Sequence, residues 1–405
     1  MNKFATQISN NLIYFPLLWI STLMFGIEKG EKILLIIVLL CALLSLTINK
    51  FSIVKYNWKN YPWIKYLLFL VLFGVISQLI HGFGSRELRA LETAVILLLF
   101  LDLTKIKIPY IAYLLLVGAI SALVFTYFYL NIQPTDRRLW PVNAIPFASY
   151  ITLIIGCSIL LIRHAQNKMI ACILILAASI GVIALILTGS RGPILALICT
   201  VCLIFIYLAI RGHINWKIIT IGLILITLVS VTTFTYIQKE YSRTINEITA
   251  ISQGDLQTSI GLRLSVYAIG LELIKEKPLL GHGKVDLSLR WDQMLKNKEI
   301  TPLERQVLSW NFHNDFIEKI VTSGILGLIT MFFWLGMPIV YGIREHREHL
   351  PLVSAPPLLY FFASMTDTPS TNGSSYVTYL IFTGIILACL INSKKTGKIK
   401  EHSRA

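Results

Sequence analysis

Apolar residues gather in long runs along the chain, at 10–26, 32–48, 64–81, 89–103, 109–130, 145–162, 169–187, 193–210, 218–236, 314–342, 351–366 and 376–391. Most of these runs are roughly 17–20 residues long, enough for a helix to cross the hydrocarbon of a bilayer. A helix that is apolar on every side needs lipid or a protein interior around it. The pattern therefore predicts an all-α integral membrane protein of about 12 transmembrane helices. The run 314–342 is too long for one perpendicular crossing and is expected to tilt, kink or begin outside the hydrocarbon. The first run has no small-residue cleavage site behind it and reads as a retained span rather than a signal peptide.

Between the ninth and tenth runs lies one long polar interruption, residues 237–313, with ten Lys or Arg against nine Asp or Glu. Connections of such length are uncommon unless they carry a function. The chain thus divides into transmembrane helices 1–9 (1–236), a large and partly helical loop (237–313), transmembrane helices 10–12 (314–391) and a basic tail (392–405). Within the loop, Leu264, Tyr267, Ala268, Leu271 and Ile274 recur at helical spacing, opposite Glu272, Lys275 and Glu276. This predicts an amphipathic helix that lies along the membrane surface or packs on the bundle. Pro278 ends it, and Leu-Leu-Gly-His-Gly (279–283) follows as a turn. There is no internal repeat and no low-complexity segment.

Composition agrees with the pattern: of 405 residues 55% are hydrophobic and 14% charged, and the mean hydropathy is +0.70. A soluble domain needs more polar surface than that. A net charge of +15 raises the question of nucleic acid, but the distribution of charge answers it. One alternating set of short loops and termini, including Lys50, Lys55, Lys105, Arg163, Arg211 and Arg344, holds 18 of the 36 basic residues; the opposite short loops hold seven. By the positive-inside rule the richer side is cytoplasmic, both termini lie there, and 237–313 lies on the non-cytoplasmic side. The tail suits an anionic inner leaflet, and no nucleic-acid partner is expected. All six Cys fall in apolar runs, without disulfide or metal-ligand spacing.

Basic residues on the outer side run against the charge rule and so carry information. Arg191 sits in Thr-Gly-Ser-Arg-Gly-Pro (188–193), a break between two apolar runs, beside a helix N-terminus that itself attracts anions. It grips an anion there or anchors a helix end. Arg263 heads the amphipathic helix and faces a phosphate or a carboxylate. His313 opens His-Asn-Asp-Phe (313–316) where the loop re-enters the membrane. An imidazole there accepts a proton near neutral pH, with Asn314 and Asp315 to orient it or an incoming hydroxyl, although Asn314 is also a good helix cap. Asp367 holds an arginine, positions a sugar hydroxyl or starts the turn before Pro369. Arg137 and Arg138, with Trp140, form a further outer cluster suited to pyrophosphate and sugar, or to anchoring at the interface. His282, between glycines, reads as structural.

Thr-Gly-Ser-Arg-Gly-Pro before a span, Gly-Leu-Arg followed by Pro-Leu-Leu-Gly-His-Gly, and His-Asn-Asp-Phe with Gly-Ile-Leu-Gly, in that order around the large loop, resemble the O-antigen ligase and polymerase family. The resemblance covers about 180–390. It implies transfer of a glycan from undecaprenyl pyrophosphate to a sugar hydroxyl of lipid A–core at the periplasmic face, without cofactor or metal. By motif it implies that Arg191 and Arg263 bind the pyrophosphate and that His313 is the essential histidine, with Asp367 matching the family's acidic residue. The donor is already activated, so an inverting displacement needs only two lipids side by side, cations for the leaving group and a base. Polymerisation and transfer to protein use the same donor and leave no separate trace in the sequence. A transporter would bring charge to the midplane; the predicted spans are nearly free of it, Glu92 and Asp102 excepted.

Overall fold

The computed structural model describes residues 11–81, 85–212 and 234–395, together with Ser9. The ninth predicted span lies outside the described residues up to residue 233, as does the tail beyond 395. Among the described residues the chain is all-helical, with no β-strand. In chain order the helices are α1 (Tyr14–Thr22), α2 (Gly30–Asn49), α3 (Ser52–Asn60), α4 (Pro62–His81), α5 (Ser85–Phe100), α6 (Ile108–Tyr127), α7 (Ala144–Leu161), α8 (Lys168–Thr188) and α9 (Arg191–Ile210). Then come α10 (Phe234–Ser252), α11 (Ser259–Glu276), α12 (Gly283–Lys296), α13 (Pro302–Leu308), α14 (Asp315–Glu345), α15 (Leu350–Ala363) and α16 (Gly373–Lys395).

Eight of the described helices are long and apolar enough to cross a membrane, namely α2, α4, α6 with its π-helical extension to Ile132, α7 to α9, α14 and α16. They make the chain a multi-pass membrane protein. Three other predicted spans form shorter helices. α5 opens on Ser-Arg-Glu-Leu-Arg, and α15 carries Pro351, Pro356 and Pro357 within its 14 residues. α7 and α16 run through the centre and are buried on nearly all sides, whereas α9 is largely uncovered. One large core joins α1, α2 and α4–α9 to α14–α16, and a second, smaller core holds α11–α13 against α14 through Val266, Leu273, Trp291, Phe312 and Val321. All six cysteines are free; Cys41 and Cys157 are buried, while Cys172 and Cys202 face outward.

The overlong tenth run resolves as α14, 31 residues broken at Gly324, whose backbone is non-helical with φ +63°. A kink at glycine is a recognised way to bend a long helix. The segment above the kink carries charge that the sequence reading overlooked. Lys319 is buried in an ion pair with Glu87 of α5, and Glu318 accepts from the Phe312 backbone N–H at 3.2 Å. Breaking such a buried pair typically costs roughly 3–5 kcal/mol, because the remaining ion has no partner.

The loop helix also needs a correction. α11 does form, but its buried face is Gly261, Val266, Gly270 and Leu273, whereas Leu264 and Leu271 of the predicted apolar stripe are exposed. Glycine decides the face. A Cβ on Gly270 would come within 2.4 Å of Ile317 and 3.0 Å of Phe312, so the helix packs backbone-close on that side.

Candidate functional site

Helix ends from distant parts of the chain meet at one end of the bundle around a cavity of about 1110 Å³. Single-ligand pockets usually span roughly 300–1,000 Å³, so this one has room for more than a small molecule. Its wall takes in Arg137, Arg138, Arg191, Arg263 and His313 from the sequence prediction, and adds Lys239, Arg243, Glu240, Glu247, Trp310 and Thr366. Six Lys or Arg against three carboxylates (the third is Asp136) line it, a formal excess of three positive charges. Such a surface favours an anion.

The Thr-Gly-Ser-Arg-Gly-Pro segment builds one side. Gly189 caps α8 in the left-handed conformation, φ +60°. A side chain there is excluded twice over, since its Cβ would also lie 1.9 Å from the Arg137 guanidinium. Gly192 lets Thr366 approach α9, where a Cβ would stand 2.4 Å from its hydroxyl. Arg191 thus opens α9 with its side chain in the cavity, at a helix N-terminus.

Two of the arginines are held by carboxylates of α10. Arg191 donates to Glu247 at 2.8 Å and to the Thr244 hydroxyl at 2.9 Å, and Arg137 donates to Glu240 at 3.1 Å. Arg243, one turn from both glutamates, pairs with Glu247 at 3.3 Å. Glu247 is itself buried and also accepts the Ile260 backbone N–H at the start of α11, at 3.2 Å. Among the described residues Arg138 and Arg263 form no ion pair, which leaves their guanidiniums available to an incoming anion.

His313 lines the same cavity. Its Nδ1 is 3.0 Å from Asp367 Oδ1. A carboxylate only accepts, so the contact puts the ring hydrogen on Nδ1 and leaves Nε2 with its lone pair. His313 also has φ +51°, a conformation uncommon for a non-glycine residue. Its backbone N–H donates to Asn311 Oδ1 at 2.8 Å, and its carbonyl accepts from the Tyr267 hydroxyl at 2.8 Å. Burial raises the pKa of that phenol, the nearby Arg263 opposing, so Tyr267 stays a donor. Strained backbone of this kind costs of order 1–3 kcal/mol and persists where its surroundings hold it.

Three sequence expectations need adjustment here. Asn314 caps α14, accepting from the Phe316 and Ile317 N–H groups. Asp315 is fully buried and accepts from Ser364 and from the Ser370 backbone and hydroxyl. Neither lines the cavity; both fasten the loop that carries Asp367, and it is Asp367 that orients the histidine. Trp140 is no platform either, being buried among Phe125, Tyr129 and Phe147. The exposed indole in the cavity is Trp310, 55% accessible. His282 is buried with its Nε2 3.0 Å from the Leu273 carbonyl, where it satisfies the end of α11. Among the described residues no three His, Cys, Asp or Glu side chains converge as a metal site.

The resemblance read from the motifs is matched by comparison with known proteins. Residues 174–332 match the sequence model of a family described as O-Antigen ligase, a stretch that contains Arg191, Arg263 and His313. An O-antigen ligase of Escherichia coli K12 is 24% identical over 241 residues, 58% of this chain and 57% of its own. A protein of Haemophilus influenzae described as uncharacterized is 28% identical over 172 residues, 40% of this chain and 41% of that one. The chain thus spans about half the length of the curated relatives it matches.

Proposed function

We propose that the chain is an O-antigen ligase, transferring a glycan from undecaprenyl pyrophosphate to a sugar hydroxyl of lipid A–core in this cavity, on the periplasmic face of the inner membrane. The observation that carries the reading is that His313, held by Asp367, lines the same cavity as the cluster of arginines. The family match over 174–332 supports the same reaction class.

In this reading the pyrophosphate first meets the unpaired Arg263 and Arg138. It then takes the places of Glu247 and Glu240 on Arg191 and Arg137, a phosphate oxygen for a carboxylate oxygen. Guanidinium suits the task, being permanently charged and able to bind phosphate oxygens in a bidentate way. The acceptor hydroxyl enters on the His313 side, with a sugar ring against Trp310. Its oxygen forms a bond to the anomeric carbon of the donor while the bond from that carbon to the pyrophosphate oxygen breaks. The pyrophosphate leaves with the electron pair, its charge held by the arginines, and the hydroxyl proton passes to His313 Nε2. A single displacement inverts the anomeric configuration. Charge stabilisation of this kind typically contributes about 10²–10³ per contact, and a general base about 10²–10⁴.

Lipopolysaccharide banding in a ligase-null strain tests the proposal, with the chain supplied as wild type, His313→Ala or Arg191→Ala and its membrane level measured. Wild type is expected to restore the long-chain ladder, and both variants to lose it at normal abundance. No ladder from the wild type, in a host whose core it should accept, would move the reading to polymerisation or transfer to protein. A full ladder from both variants would remove the site.

A further inference from the structure

The turn between α11 and α12 is clamped backbone-to-backbone onto the kink of α14. Ile325 N–H donates to the Pro278 carbonyl at 2.9 Å, and His282 N–H donates to the Val321 carbonyl at 2.8 Å. Gly281 and Gly324, both with positive φ, make this possible. A Cβ on Gly324 would stand 2.1 Å from the Leu279 carbonyl oxygen, and one on Gly281 would stand 2.6 Å from Gly324 N. The clamp fixes where the turn sits relative to the membrane. From Ile325 to Ile343, α14 has no charged residue, close to the ~20 residues that one crossing needs. A crossing that begins at the kink puts Gly324, and the turn clamped to it, near the edge of the hydrocarbon; the uncharged stretch itself runs from Ile320 to Ile343.

At that level the turn presents Leu279 and Leu280, 69% and 57% exposed, and α12 adds Val285 and Leu289, 66% and 62% exposed. α12 packs against α4 as well as α14. The outer end of α4 leaves Leu79 exposed, and α14 leaves Ile325 exposed, so the patch continues the apolar surface of two membrane helices. Lys275, Lys277 and Lys284 flank it with exposed side chains, as basic residues flank membrane-inserted apolar segments at headgroup depth. Large adjoining apolar side chains of this kind are rarely left to water.

We propose that the α11–α12 turn inserts Leu279 and Leu280 into the lipid leaflet on the cavity side, with Val285 and Leu289 resting on the same lipid. The outer loop is thereby a membrane-anchored wall of the cavity, tethered at the level where a lipid-linked substrate must enter. The inference stands on the clamp and the exposed residues and does not depend on the transfer reaction.

The test places a diazirine analogue of leucine, nearly isosteric with the native side chain, at position 280 of the full chain in phosphatidylethanolamine–phosphatidylglycerol vesicles. A second sample carries it at position 299. Residue 299 lies beyond α12, whose 14 residues put it about 20 Å from the turn. After irradiation, with neither donor nor acceptor present, mass spectrometry of the 277–284 peptide is expected to show phospholipid adducts on the order of tenfold above those at 299. Water-quenched products at 280 matching those at 299 would overturn the proposal. So would cross-links from 280 to a second copy of the chain or to another protein.

Discussion

At the scale of single residues the site depends on partners that lie far apart in sequence. His313 was legible because it stands at a polar-to-apolar boundary in a compact motif, and Arg191 because a cation between Gly and Pro is conspicuous. Asp367, 54 positions from His313, gave no sign that it rather than Asn314 or Asp315 holds the imidazole. Glu240 and Glu247 were equally silent, since a glutamate on a charged helix reads as solvated surface until the fold brings Arg137 and Arg191 to it. If Asp367 fixes the ring tautomer, Asp367→Asn should lower kcat by about 10²–10⁴ with little change in KM. Steady-state kinetics of glycan transfer would measure this, and an unchanged kcat would assign Asp367 to the turn alone. Trp310→Ala should act differently, raising KM for a sugar substrate by roughly 2–10-fold through loss of an aromatic contact worth ~0.5–1.5 kcal/mol. Equal KM values for wild type and variant would leave Trp310 outside the substrate path.

At the scale of helices, length and apolar runs were enough to read most elements, and small residues explain the misreading. The α11 stripe was misjudged because Gly261 and Gly270 count for nothing in an apolar pattern, yet they mark the side that packs closest. The bend in α14 was foreseen from its length; its position was not, because it depends on the Gly281–Gly324 contact between segments over 40 residues apart. The other end of α14 makes a prediction of its own. In the turn to α15, burial, reinforced by His349 and Lys394, holds the pKa of His346 down to about 4, and burial also lowers that of His349. Both imidazoles thus take up a proton less readily in the fold than in an unfolded chain, which protonates them near the ordinary value of about 6.5. Between these values the unfolded state binds more protons, so stability should fall as pH drops from about 6.5 towards 4. Thermal unfolding in detergent should show that slope. His346→Gln should flatten it, and an identical slope in the variant would place the pH dependence elsewhere.

At the scale of the whole molecule the fold brings together what the sequence spreads over more than 230 residues: the loop after α6, the α8–α9 break, α10, α11, α13 and the α15–α16 turn. Most contribute a helix end, where backbone N–H groups, glycines and caps are available, while α10 lays its middle turns, Lys239 to Glu247, along the cavity. The charge pattern predicts one side of the membrane for them, because these arginines depart from the positive-inside distribution. Which of them touch is a matter of helix packing, and no local pattern encodes it. The cluster of cations and the His313–Asp367 couple come together only through that convergence.

The most direct measurement is glycan transfer by the purified full chain reconstituted with undecaprenyl-pyrophosphate glycan and lipid A–core, comparing wild type, Arg263→Ala and His313→Ala of equal thermal stability. The wild type is expected to yield joined product with inverted anomeric configuration and to release undecaprenyl pyrophosphate. Each variant is expected to lose at least about 10² in rate. Transfer at the wild-type rate by both variants, or a product that retains the donor's configuration, would contradict the direct displacement in this cavity.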